Sequence, residues 1–289
     1  MKRQALILAF VAIFALAGCK PKSVEPKVLA RFVPERSDDF VFENNLVAGR
    51  FYGKALEGNP TSPGIDIWVK LPGALVADTW YAEAQKDPNY YHHDHGGKDC
   101  YKVAVSLGGG ASAPFVDGRL ARPATNYRSY EVVEQTPDKV VFVLHYPEWE
   151  AAEGVKVSLD KQVTVCADSY FCRVDDTYKF TGAETLCVAA GLLRHSAQET
   201  IEQERLTPSS YAIWEHASDQ SVEPEDGMLG VAVVVPGAKD VCVHDELDHG
   251  IATRDLKPGE VFTYYFGSCW SKGDLKTAED WFAEVEKVK

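Results

Sequence analysis

Residues 90–101 read Tyr90-Tyr91-His92-His93-Asp94-His95-Gly96-Gly97-Lys98-Asp99-Cys100-Tyr101. Three of the chain's eight histidines fall within four positions, beside two aspartates, a lysine and three tyrosines. Nearly every side chain here requires a hydrogen bond or water, so this is not an ordinary packing segment. Imidazole moves protons near neutral pH and is a common metal ligand. The stretch is therefore expected to form the wall of an active or binding site. If it is extended, His93 and His95 share one face while His92 and Asp94 share the other. His93 and His95 are then the pair that a divalent metal would use. No other cofactor is implied.

Further chemistry-bearing residues lie elsewhere. Ile65-Asp66-Ile67-Trp68-Val69-Lys70 alternates with period two, placing an acid, an indole and an ammonium on one strand face. That face suits a sugar subsite, and equally a solvated sheet surface. Arg36, Asp39, Glu43, Asn44 and Arg50 crowd a short region and read first as structural ion pairs, with Arg36 kept as a binding candidate. Arg194 and His195 are adjacent, and Glu215 is a later carboxylate between Trp214 and His216. On a strand Arg194 and His195 point to opposite faces, so both serve one site only where the strand ends or bulges. His145, His216, His244 and His249 read as surface or hydrogen-bonded histidines. Gly108-Gly109-Gly110 is no dinucleotide fingerprint, because Ala113-Pro114 denies the third glycine and the helix. It reads as a place where the backbone turns or passes close to something. Neither a Gly-x-Ser-x-Gly elbow nor a His-Glu-x-x-His helix is present, which argues against a serine hydrolase or a zincin.

The elements that must position these groups are strands. The pattern predicts Val103–Leu107, Tyr130–Glu134, Val140–His145, Val155–Leu159, Gln162–Val165, Phe171–Phe180, Thr185–Leu192, Tyr211–Trp214, Leu229–Val235, Asp240–His244 and Val261–Cys269. Turn residues separate many of them, including Asp160-Lys161, Thr181-Gly182 and Lys257-Pro258-Gly259. Short strands with tight turns predict an all-β fold, a large antiparallel β-sandwich. One helix is expected at the C-terminus. Thr277 with Asp280 forms a capping-box signature, and Trp281, Val285 and Val288 form one apolar stripe. Cys166 and Cys172 flank a hairpin signal, but the pairing of the six late cysteines stays open between disulfides and buried thiols.

The chain has 289 residues and a formal net charge of −13. That charge argues against a nucleic-acid partner, which needs clustered Lys and Arg. Lys2 and Arg3 precede an apolar run from Ala5 to Ala15, and Leu16-Ala17-Gly18-Cys19 follows. This predicts a signal peptide over 1–18. Because the tetrapeptide resembles the bacterial lipobox, Cys19 is the expected lipidation site. Residues 19–30 read as lipidated cysteine and Pro- and Lys-rich tether, and 31–289 as a single β-sandwich domain. Lys20 after Cys19 resembles outer-membrane sorting, so the expected place is the periplasm, anchored to the outer membrane by the lipid.

Several motifs agree in order with a known family. These are Pro34-Glu35-Arg36 with Asp39-Phe40 and Glu43-Asn44, Gly64 through Trp68, Tyr91 through Gly96, Asp99 through Val103, and the ending Tyr264 through Gly267 with Trp270 through Asp274 and Trp281. Over about residues 30 to 285 the chain resembles domain-of-unknown-function family 4861. The resemblance implies a secreted or lipid-anchored bacterial protein from polysaccharide-degradation loci, particularly for uronate-containing glycans. The second half also resembles the galactose-mutarotase-like supersandwich. That likeness implies a central imidazole and a late carboxylate on neighbouring strands, here His93, His95 or His195 with Glu215. Arg36, Asp66, Trp68, Tyr91, His92, Lys98 and Arg194 are the expected substrate-binding residues. The expected function is acid–base chemistry on an acidic oligosaccharide or sugar-acid ligand, of lyase, epimerase or mutarotase type. The alternative is a non-catalytic carbohydrate-binding lipoprotein, which would lack a hydrogen-bonded acid and base.

Overall fold

The computed structural model describes residues 25–57, 63–217 and 224–289. The expected signal peptide, Cys19 and residues 20–24 of the expected tether lie outside the described residues. Five strands open the chain: β1 (Val28–Val33), β2 (Asp39–Asn44), β3 (Ala48–Phe51), β4 (Ile65–Lys70) and β5 (Gly97–Lys98). They pair in sequence order as an antiparallel sheet, and β1 starts inside the expected tether segment. Helix α1 (Ala77–Ala84) lies between β4 and β5. There follow β6 (Gly109–Val116), β7 (Arg119–Leu120), β8 (Ser129–Gln135), β9 (Lys139–Ala152), β10 (Val155–Cys166), β11 (Phe171–Thr181), β12 (Leu186–Leu193), β13 (Ile201–Leu206), β14 (Ser210–His216), β15 (Met228–Val234), β16 (Asp240–His244), β17 (His249–Leu256), β18 (Val261–Trp270) and helix α2 (Ala278–Val285).

An eight-stranded sheet, ordered β13-β14-β15-β18-β11-β10-β9-β8, forms the long layer. The sheet β1 to β5 and a second five-stranded sheet, β16-β17-β12-β6-β7, both pack on its inner face. One hydrophobic core runs through all three, from Val28 and Phe42 to Val163, Ala190 and Phe266. The all-β sandwich expectation holds, as does the short C-terminal helix.

The side-chain pattern explains the layers. On β10, Val157, Leu159, Lys161, Val163 and Val165 face inward while Asp160, Gln162 and Thr164 face out. The expected turn at Asp160-Lys161 is therefore absent, and β10 is one continuous strand. Lys161 is the charged residue in that inward row, and it points at Asp176 (2.7 Å) and the Tyr264 hydroxyl (3.1 Å). The Ser112 hydroxyl, from the facing sheet, donates to the same carboxylate and lies 2.7 Å from the Tyr178 hydroxyl. Burial pushes Lys161 down and Asp176 up, against their mutual attraction. Gly110 permits the close layer contact: its φ is +134°, and a Cβ there would sit 2.4 Å from Phe266.

On the β4 face Asp66, Trp68 and Lys70 are all buried, so it is not a solvated surface. Helix α1 covers it, with Trp80 and Tyr81 against Trp68. Glu43 on β2 accepts the Val76 and Ala77 amides at 2.7 and 2.9 Å, capping α1 from another element. Lys70 donates to Glu43 at 2.5 Å and to the Asn44 and Ala74 carbonyls. Glu43 thus lies in a buried ion pair, with Lys70 as its partner. Helix α2 carries the full Thr277–Asp280 capping box and packs Trp281 on the outer face of the long sheet. The Trp281 ring stacks on Phe171 at 5.4 Å and lies over Gly230, where a Cβ would be 2.6 Å away.

The expected strand Val103–Leu107 is absent: residues 104–107 form a turn, with Ala104 at φ +47°. All six cysteines from Cys100 to Cys269 are unpaired thiols. No helix among the described residues is long and apolar enough to cross a membrane.

Candidate functional site

Arg50 is the centre of the polar groups gathered by the first sheet. It faces Asp66 directly across the β3–β4 pair and donates to it at 2.6 Å. It also donates to Asp99 at 3.0 Å and lies 3.8 Å from Asp39. Its guanidinium sits 5.1 to 5.5 Å from the ring centres of Tyr91, Trp68 and Tyr52, an aromatic cage that favours a planar cation. The Tyr52 hydroxyl donates to Asp66 at 2.9 Å, and Arg36 reaches both oxygens of Asp39 through Nη1. Tyr81 donates to Asp39 from α1. Arg50, Asp66 and Asp99 are 3, 1 and 1% exposed, whereas the Arg36 side chain is 24% exposed.

Two guanidinium groups thus meet three carboxyl groups in low-dielectric surroundings. Burial, then the negative charge of Asp66, pushes Asp99 up to about 8. Burial opposes the Arg50 charge, and the three carboxylates more than offset it. Burial and Asp66 hold the Tyr52 phenol protonated. Among the described residues, Arg50 Nη1, Asp66 Oδ1, Asp99 Oδ1 and Trp68 Nε1 lack a hydrogen-bond partner.

His92 stands beside this cluster. The chain makes a 3-10 turn at Tyr90–His92, and the imidazole ends half-buried, edge-on to Tyr91 at 4.9 Å. Its Nδ1 lies 3.2 Å from the Asp99 carbonyl oxygen. A carbonyl only accepts, so Nδ1 carries the hydrogen and Nε2 keeps the lone pair. Burial first, then Arg50 and Arg36, lowers the His92 pKa, while the Asp99 carbonyl acts the other way. The ring is therefore a neutral base at neutral pH.

His93 and His95 do not share a strand face. Asp94 accepts the Gly96 amide at 3.0 Å, and Gly96 takes φ +80°, so the chain bends where extension was expected. Both imidazoles are exposed, and His95 stacks on Tyr90 at 3.8 Å. Among the described residues, no three His, Cys, Asp or Glu side chains gather as a metal cage requires.

A second polar group forms where β12 ends at Leu193. His195 adopts φ +51°, which turns it inward, so the strand end required by the Arg194–His195 pair is present. Its Nδ1 lies 3.3 Å from Glu215 and its Nε2 2.7 Å from the Lys102 carbonyl. Thr200 donates to the same Glu215 oxygen at 2.9 Å, and Tyr101 packs edge-on at 4.8 Å. Both ring nitrogens thus lie within hydrogen-bond distance of an oxygen. An adjoining hollow of about 310 Å³ is rimmed by Arg194, Glu199, Glu202 and Glu204. Arg194 lies in ion pairs with Glu204 and Asp245, so its charge is balanced locally.

Of the expected residues, Arg36, Asp66, Trp68, Tyr91 and His92 converge around Arg50, and His195 converges with Glu215. Lys98 belongs to neither group's centre and pairs with Asp226 at 2.8 Å. The segment Gly97–Lys102 joins the two groups: Asp99 holds Arg50, and the Lys102 carbonyl holds His195. Arg50, Tyr52 and Asp99 were missed as site residues. The clue for Asp99 was its place in the histidine stretch, and for Arg50 a lone guanidinium on a short strand paired with an acid-bearing one.

The chain matches the model of a domain of unknown function (DUF4861) over residues 19–289. It is 36% identical over 273 residues to uncharacterized protein P7 of Formosa agariphila, covering 89% of this chain and 66% of that relative. Neither name states an activity. With nearly all of its length matched by the family model, the chain belongs to the DUF4861 family.

Proposed function

We propose that this protein performs acid–base chemistry on acidic oligosaccharides or their breakdown products. His92 is the base, and Arg36, backed by Arg50, faces the substrate carboxylate. One observation carries this reading: the His92 imidazole is held by the Asp99 carbonyl in the tautomer that leaves Nε2 basic, and the side chain of the same Asp99 holds Arg50. Abstracting the proton beside a uronate carboxylate builds negative charge on its oxygens, and guanidinium hydrogen bonds stabilise that charge. The electron pair then either expels the neighbouring glycosidic oxygen, as in a lyase, or takes a proton on the other face, as in an epimerase. Asp99, protonated near neutral pH, and Tyr52 are the acids nearest the cluster.

The His195–Glu215 pair supports a second reading, because it is the hydrogen-bonded imidazole and carboxylate expected of a mutarotase-like site. Its acidic rim suits a neutral substrate better than a uronate.

Incubating the protein with uronate-containing oligosaccharides, followed by NMR and ultraviolet absorbance, separates these readings. Unsaturated or epimerised product that is lost in His92→Gln supports the first. Loss only in His195→Gln moves the chemistry to the second pair. Binding without turnover across the panel leaves a carbohydrate-binding protein.

The proposed location is the periplasmic face of the outer membrane, with a lipid on Cys19. The support is the Leu16-Ala17-Gly18-Cys19 pattern behind an apolar run. Replacing Cys19 with Ser is expected to move the protein from the membrane to the soluble fraction.

A further inference from the structure

We infer that the outer face of the long sheet carries a separate binding groove for a neutral, polyhydroxylated chain such as an uncharged oligosaccharide. The groove has a volume of about 560 Å³ and crosses β9, β10, β11 and β18. The strand register arranges its side chains in two rows. His145, Asp160, Thr177 and Val261 form one; Val143, Gln162, Asp175 and Thr263 form the other. Four strands at about 4.8 Å spacing make each row about 14 Å long, enough for more than one sugar ring.

The electrostatics select the class of ligand. Asp160 accepts from Lys179 at 2.6 Å and lies 2.7 Å from His145 Nδ1. Asp175 accepts from Arg173 at 2.9 Å and from the Thr263 hydroxyl at 2.7 Å. Each of the two groove carboxylates is thus matched by a cation, Lys179 for Asp160 and Arg173 for Asp175, so neither is left as an unbalanced charge in the groove. The face does present a dense, pre-ordered set of acceptors and donors. The Gln162 amide and the Thr177 and Thr263 hydroxyls lie between the charged pairs, with Val143 and Val261 as apolar ground. Vicinal hydroxyls with apolar C–H faces complement this pattern, and side chains already tied in place lose little freedom on binding. The groove shares no residue with the Arg50 or His195 groups, so it does not depend on the acid–base reading.

The test is calorimetric titration of the whole chain with cellohexaose, xylohexaose and mannohexaose, with hexagalacturonate as the charged comparison. The expected result is saturable binding of at least one neutral hexasaccharide. Gln162→Ala and Asp175→Asn should each weaken it tenfold or more, and His92→Gln should leave it unchanged. Gln162 is partly exposed, so the first variant keeps its fold and reads the result even if the second melts early. Failure of all three neutral probes at millimolar concentration, binding that survives both groove variants, or binding of hexagalacturonate alone would overturn the proposal.

Discussion

At the scale of single residues, the histidine-rich stretch adjoins the Arg50 group through His92 and Asp99, not through the His93–His95 pair. The residue types predict a polar wall; the structure places Asp99 and His92 of the stretch among polar groups. Which ring faces the cluster depends on the bend that Asp94 and Gly96 impose, and that bend leaves His93 and His95 exposed while His92 stays on the Asp99 carbonyl. A period-two pattern assumes extension, so it could not sort them. Two predictions belong here. In the proposed reaction His92→Gln should lower turnover by about 10²–10⁴. The wild-type rate should fall on acidification with a midpoint below 6.5, because His92 must be neutral to act. A pH–rate profile of both proteins checks this, and an unchanged acid limb in the variant would contradict the assignment. The second concerns Asp99. Between its ordinary 3.8 and about 8, the folded chain holds a proton that the unfolded chain has released. Stability therefore falls as pH rises through that window, by at most about 1.4 kcal/mol per unit. Asp99→Asn imitates the protonated acid and should lose less melting temperature than wild type between pH 5 and pH 8. Equal losses would remove Asp99 as the source.

At the scale of elements, strands with a clean alternation were legible, and so was α2, whose cap and apolar stripe are written in consecutive residues. Thr277→Ala should cost about 1 kcal/mol. Trp281→Ala should cost about 3–5 kcal/mol, because the ring fills the space over Gly230 and against Phe171. Denaturant titration of both variants checks the order of the two effects. Helix α1 was not legible. Its cap is Glu43, 33 residues earlier than Val76, so no local signal announces its start. Strand β10 was divided because Asp160-Lys161 looks like turn chemistry, whereas Lys161 has its partner Asp176 inside the sandwich. A buried charge satisfied from another strand is invisible to any window along the chain.

At the scale of the whole molecule, the three-sheet arrangement followed from composition and pattern only as far as "sandwich". How the layers register depends on contacts such as Ser112 to Asp176, which joins β6 to β11 across the core. Lys161→Met should unfold more easily by about 3–5 kcal/mol, because it leaves the Asp176 carboxyl without its cation. Chemical denaturation measures this, and a loss below 1 kcal/mol would show that the hydroxyls alone satisfy the carboxyl. Gly97–Lys102 has a corresponding role, since one largely buried segment anchors both polar groups.

The unpaired thiols have a practical corollary. A framework with no cross-links among its described residues needs no oxidant to fold, so recombinant production in a reducing cytosol should give native material. Alkylation with iodoacetamide should then modify Cys166, Cys187 and Cys242, which are partly accessible, and spare Cys100, Cys172 and Cys269 until denaturant is added. Peptide mass mapping of the labelled protein would make those three protected sulfurs a reporter of when the interior first opens.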